Sequence, residues 1–249
     1  GRCNAVYAGE IIMYDISVTH NINTAPWEID CTKRVLYLAK MIEKGYHISV
    51  IIYEYPDTST FRYRGYNIYQ AMKKSEKWKV VYFFRHELER VIPFLDQIDI
   101  VTVSRVKWNI PLQEFMNQVK QKNIPLMFDV DDRIYDLDYL PLVTNTLNVD
   151  FANYGERGYD FWFAQVSRIE MTARQADGYI GTNAFLGNTF QERFQKKSYI
   201  IPNFLNKEQV EISELCLAKK REQQSKHPFT IGYFSGTPSH INDFKIVYK

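Results

Sequence analysis

The sequence predicts an α/β fold, a doubly wound, mostly parallel, Rossmann-like sheet. Three observations carry this. From Tyr46 onward, short apolar runs alternate with segments of helical period, the pattern of repeated strand–helix–strand units. The run IPLMFDV (124–130) is nearly all apolar rather than alternating, as a strand covered on both faces must be. Polar clusters in IIYEYPDTSTFR, VSRV, FDVDDR, IGTN and IIPNF fall at strand ends. Parallel crossovers bring those ends to one edge, outside which ligands bind in such sheets.

Taken in order, IIMYDISVT (11–19) reads as a strand, and DCTKRVLYLAKMIEKG as a helix with Asp30 near its start and Gly45 beyond its end. Residues 1–45 are therefore expected to add one unit to the sheet. HISVIIYEY (47–55) is a β-branched strand bounded by Pro56, and RYRGYNIYQAMKKS (62–75) a helix weakened by Gly65. WKVVYFF (78–84) and IDIVTVSRV (98–106) are strands joined by a short crossover in ELERVIPFLDQ. PLQEFMNQVKQKN (111–123) is an amphipathic helix opened by proline. Residues 136–160 show no clean period and read as a long loop covering the active edge, followed by a helix from Asp160 to Ala176. ADGYIGTN (176–183) and KSYIIPN (197–203) are strands separated by the helix AFLGNTFQERF.

This gives an expected domain at 46–207 and a polar, helix-prone linker at 208–228. Residues 229–249 then open a second domain with the strand, glycine turn and helix start of FTIGYFSGTPSHINDF. A hydrophobic content of 45% with 24% charged residues allows a sizeable core, and Lys+Arg 31 against Asp+Glu 29 does not mark the chain as a nucleic-acid binder. Cys3, Cys31 and Cys216 are far apart with no C-x-x-C spacing, so neither a disulfide framework nor a zinc site is expected and a cytoplasmic setting is. The absence of a signal-like start or a membrane-length apolar run points to a soluble protein, at most peripheral to the inner face of a membrane. Phe161, Trp162 and Phe163 are adjacent and cannot share one helix face. Core packing is expected for them, with the covering loop, a second domain or a membrane as other partners.

The stretch LMFDVDDRIYD (126–136) is the densest candidate for chemistry. Asp129 and Asp131 match the Asp-x-Asp spacing of haloacid-dehalogenase-like phosphohydrolases, where the first aspartate attacks phosphorus and Mg²⁺ screens the charge. Arg133, however, stands in the place of that pattern's threonine. The same pair could form an Asp-x-Asp metal clamp on a nucleotide diphosphate. Both aspartates could also only cap backbone groups at the strand end.

Five stretches in order carry a more specific likeness. FRYRGYNIYQAM, IPLMFDVDDRIYD, ADGYIGTNAFLGNTF, YIIPNFLN and FTIGYFSGTPSHINDF resemble motifs of the group 1 (family 4) retaining glycosyltransferases, whose two facing Rossmann-like domains make the GT-B arrangement. The resemblance implies sugar transfer from a nucleotide-sugar donor to a glycan or lipid-linked acceptor, commonly without a bound metal and with no further cofactor. It implies that Asp129, Asp131 and Asp132 face the cleft, bonding acceptor hydroxyls or pairing with Arg133, Arg62 or Arg64. Arg62 and Arg64, at a helix start, would hold a phosphate, or else stand as a solvated pair. Ser235, Gly236 and Thr237, with His240 assisting, would receive the donor diphosphate. Pro202 and Asn203 would fix the exit to the linker. The donor-site glutamates would fall beyond Lys249, so the 249-residue chain alone is expected to be inactive. A degenerate, non-catalytic binding module is the remaining alternative.

Overall fold

A computed structural model describes residues 5–7, 10–12, 25–56, 60–146 and 151–222. Six strands form one parallel sheet: β3 (His47–Tyr53), β4 (Trp78–Phe84), β5 (Ile100–Ser104), β6 (Leu126–Asp129), β7 (Gly178–Gly181) and β8 (Ser198–Ile200), in spatial order β4-β3-β5-β6-β7-β8. Helices between them make the Rossmann-like, doubly wound fold. The chain winds outward from β3 to β4, then returns to the other side of β3 to lay down β5. That reversal creates a topological switch point between β3 and β5. Strand ends are level there: Tyr53 stands beside both Phe84 and Ser104, and Ser104 beside Asp129.

Alternation along β3 divides the core. Ile48, Val50 and Ile52 face a cluster with Leu38, Val81, Phe83, Val101 and Leu112, while Ile51 and Tyr53 face Phe61, Tyr69, Tyr82 and Phe84. A third cluster joins Phe128, Val130 and Tyr179 to Ile169, Leu186 and Phe190. Helix α1 (Cys31–Glu43) begins where the Asp30 carboxylate accepts the Thr32 amide at 2.8 Å. Residues 62–72 are one π-helical turn (Arg62–Tyr66) running into α2 (Asn67–Met72). The crossover before β5 holds α3 (Leu88–Val91) and a 3₁₀ turn. Asn109 caps α4 (Ile110–Gln121) and Asn183 caps α7 (Ala184–Phe194), each through its side-chain oxygen.

Three expectations change. The stretch read as a long loop is mostly helical: a 3₁₀ turn (Leu137–Tyr139), α5 (Leu140–Thr146) and α6 (Phe151–Gln175). Pro141, Gly155 and Gly158 obscure its period, although proline fits a first turn and α6 is long enough to carry two glycines. At the other end of the chain, only Ile11 and Ile12 of the strand expected at 11–19 are described: they belong to β2 (Glu10–Ile12), which pairs antiparallel with β1 (Ala5–Tyr7) in a sheet separate from the parallel one, and residues 13–19 lie outside the described residues. Finally, Phe161 (56% exposed) and Phe163 (46%) lie on the surface of α6 rather than in the core. The segment after β8 continues as α8 (Lys207–Glu222). Among the described residues no helix is long and apolar enough to cross a membrane. Of the described cysteines, Cys31 and Cys216 are free thiols. Cys3 and residues 229–249 lie outside the described residues.

A buried charge ties α1 to the sheet. Arg34 donates as a fork to Glu87, at 2.9 and 2.7 Å, and also to the carbonyls of Ile29 and Tyr82. Its guanidinium lies about 5 Å from the ring centres of Tyr82, Phe83 and Phe84. Burial alone would raise the Glu87 pKa, but Arg34 and the Phe84 amide hold it below the ordinary glutamate value. A depressed carboxyl stabilises the fold above its unfolded pKa, and that contribution disappears as pH falls through the folded one. Urea unfolding between pH 7 and pH 3 is thus expected to show a loss of stability on acidification that is partly missing in Glu87→Gln. An identical slope in both proteins would contradict this assignment.

Candidate functional site

The carboxyl-terminal rim of the sheet is built from residues that leave each strand. Asp129 ends β6, and burial leaves its side chain only 2% exposed. Arg64 comes from the π-helical turn and reaches it as a bidentate partner, Nε to Oδ1 at 3.0 Å and Nη2 to Oδ2. Ser104, at the end of β5, donates to Oδ1 at 2.9 Å. The remaining Arg64 nitrogen, Nη1, donates to the Ile201 carbonyl at 2.7 Å and to Asn203 Oδ1 at 3.2 Å. Burial alone would lower the Arg64 pKa, but the Asp129 carboxylate raises it and the guanidinium stays charged. For Asp129 burial is the larger influence and pushes its carboxyl above the ordinary aspartate value, against the downward pull of the hydrogen bonds from Arg64 and Ser104.

This node corrects two expectations. Arg64 is 1% exposed with its donors committed to protein acceptors, so it is not a solvent-facing phosphate ligand. Asp129 does not face a cleft, because both of its oxygens are occupied in the interior. It pairs with Arg64, one of the partners foreseen for it, and its burial disfavours the role of attacking nucleophile.

Asp131 and Asp132 lie further out. Both bind Arg105 Nη1, at 3.0 and 3.2 Å, and Thr60 Oγ1 accepts from the same nitrogen at 3.2 Å. Arg105 is the first residue after β5, at the switch point, and has a positive φ of 55°. Such a left-handed backbone costs a non-glycine residue about 1–2 kcal/mol. Sequence reading did not single out Arg105; its signal was the place of VSRV at a strand end. Burial would lower the Arg105 pKa, but Asp132 and Asp131 raise it. Asp132 keeps 49% of its side chain in solvent. Even so, desolvation by the surrounding rim and the nearby Asp131 push its carboxyl up, against the pull of Arg105.

Arg133 turns back into its own loop. It pairs with Asp136 at 2.8 Å and its guanidinium stacks 3.3 Å from the Tyr139 ring centre. Asp136 also binds Arg193, at 2.7 Å, and Arg193 reaches Asp138 and Glu170. The loop is thereby fastened to α6 and α7.

Arg62 points away from this node. Its guanidinium stacks 4.6 Å from the Trp27 ring centre, and its buried Nε has no hydrogen-bond partner among the described residues. A buried unsatisfied donor calls for a ligand or an explanation, so Arg62 keeps anion-binding capacity that Arg64 lacks. Ser235, Gly236, Thr237 and His240 lie outside the described residues. Among the described residues, no group of three or more His, Cys, Asp or Glu side chains could hold a metal ion.

No protein-family model matches this chain, and no curated protein matches it. Among solved structures, ornithine transcarbamoylase from Giardia lamblia is matched at 10% identity and a TM-score of 0.24. That alignment covers 69% of this chain and 62% of the other, so the chain spans less than two thirds of that structure's length.

Proposed function

We propose that this chain is the acceptor-side part of a retaining GT-B glycosyltransferase, one that moves a sugar from a nucleotide-sugar to a glycan or lipid-linked acceptor. The observation that carries the reading is the Arg64 node. Three of the stretches that resemble the family, RYRGYN, FDVDDR and IIPN, lie far apart in sequence yet are hydrogen-bonded to one another through this side chain. They meet at the ligand-binding edge of a parallel sheet. In this reading the node is a positioning device. It fixes the acidic lip of β6 against the exit toward the second domain.

Within that frame Asp132 is the carboxylate that meets the acceptor, with Asp131 bracing Arg105 behind it, and Arg62 is the cation for a phosphate of donor or acceptor. The haloacid-dehalogenase-like alternative needs Asp129 as an accessible nucleophile, and its burial beneath Arg64 speaks against that.

Transfer assays on the complete gene product with a panel of radiolabelled nucleotide-sugars test the reading. Turnover is expected to be indifferent to a chelator, to fall about tenfold in kcat/KM in Asp132→Asn, and to show a KM about tenfold higher in Arg62→Met, with unfolding midpoints unchanged. Mg²⁺-dependent phosphate release abolished by Asp129→Asn would instead establish the phosphohydrolase.

A further inference from the structure

The rim around Arg105 has unspent hydrogen-bonding capacity. Thr60, Asp131 and Asp132 all crowd onto one of its nitrogens, Nη1. Its Nε and Nη2 have no protein acceptor among the described residues, and a quarter of its side chain is exposed (25%). Asp132 binds Arg105 through Oδ2, and among the described residues its Oδ1 accepts no side-chain hydrogen bond, the Ile134 amide being the carboxylate's backbone donor. The fork is held from one side and presents donors on the other, with a carboxylate oxygen beside them.

We propose that Arg105 and Asp132 form a subsite for a pair of adjacent hydroxyls on a neutral sugar. One hydroxyl donates to the carboxylate, and the neighbouring oxygen accepts from the guanidinium. Charge decides the ligand class. One guanidinium faces two carboxylates, so the cluster carries an excess negative charge that repels a phosphate and suits an uncharged polyol. Position agrees, since Arg105 stands at the switch point, where parallel sheets of this order take their ligands. Asp131, less exposed at 17%, braces the fork rather than meeting the sugar. Arg105 is thus assigned as a specificity-determining residue, and the choice of acceptor as the ligand rests on the transferase reading above.

The test is NMR titration of the chain with methyl glycosides of glucose, mannose and galactose, following the Arg105 Nε–H resonance, with inorganic pyrophosphate as the anionic comparison. At least one glycoside is expected to shift that resonance, and its affinity, read from backbone amide shifts in native chain and variants alike, to drop about fivefold or more in Arg105→Lys, which keeps charge but loses the fork. Asp132→Asn, at a half-exposed position, should weaken binding similarly while leaving the fold intact. No glycoside response in the native chain, unchanged affinity in both variants, or pyrophosphate as the better ligand would each overturn the proposal. Sugar transfer with an acceptor KM insensitive to both variants would remove this subsite and leave the transferase reading standing. Variant-sensitive glycoside binding without transfer by the complete gene product would do the reverse.

Discussion

Asp129→Leu is expected to destabilise the fold by about 3–5 kcal/mol, the usual cost of removing one member of a buried ion pair. The loss arises because Arg64, 1% exposed, would keep its charge in the interior with only the Ile201 carbonyl and the Asn203 side chain as acceptors. The companion variant Arg64→Met should cost a similar amount by stranding the carboxylate. Combining the two is expected to recover much of the stability, since a well-packed apolar pair needs no counter-ion. Urea unfolding of the four proteins in a double-mutant cycle measures this directly. Additive losses, with the double variant the least stable, would show that the two side chains do not depend on each other. A stable single Asp129→Leu variant would also reopen the view of Asp129 as a surface carboxylate.

How far this node could be read from the sequence depends on which physical signal each part emits. Strands β3 and β4 were legible because burial on both faces leaves continuous apolar runs: WKVVYFF occupies β4 from end to end, and HISVIIYEY exceeds β3 by two residues. The α4 helix was legible through Pro111 and its apolar face. The FDVDDR edge was visible because three aspartates interrupt an apolar strand, but its interior was not. Arg62 and Arg64 look alike in sequence; one is spent inside on Asp129 and the other stacks on Trp27. A two-residue spacing places side chains on different sides of a helix, yet which side would be buried depended on where β6 and the 201–203 segment arrived. Arg34 and Glu87, 53 residues apart, gave no local sign of their pairing. The α5–α6 region was missed for another reason. Pro141, Gly155 and Gly158 fall in the part read as a loop, and proline and glycine are the residues by which loops are recognised, whereas α6 from Asp160 onward was legible as a helix.

Gly65 is the residue whose local and tertiary meanings differ most, and substituting it yields the second large effect. By helix propensity alone, Gly65→Ala should gain about 1 kcal/mol. The structure reverses the sign. A Cβ at this position would fall 2.4 Å from Cε2 and 2.7 Å from Cδ2 of Phe61. Phe61 is fully buried, with Tyr53, Tyr82 and Phe84 ring centres 5.0–5.2 Å away, so its ring has no direction in which to retreat. Overpacking of this kind costs about 1–3 kcal/mol, and a ring confined on several sides belongs at the upper end. A net loss of about 2 kcal/mol is expected in urea unfolding, and Phe61→Leu combined with Gly65→Ala should recover part of it. Because Gly65 adjoins Arg64 in the same π-helical turn, relieving the clash by moving the turn would also draw the guanidinium off Asp129. A gain in stability for Gly65→Ala would mean that the Phe61 ring is free to yield, and that the turn carrying Arg64 is not held by packing at all.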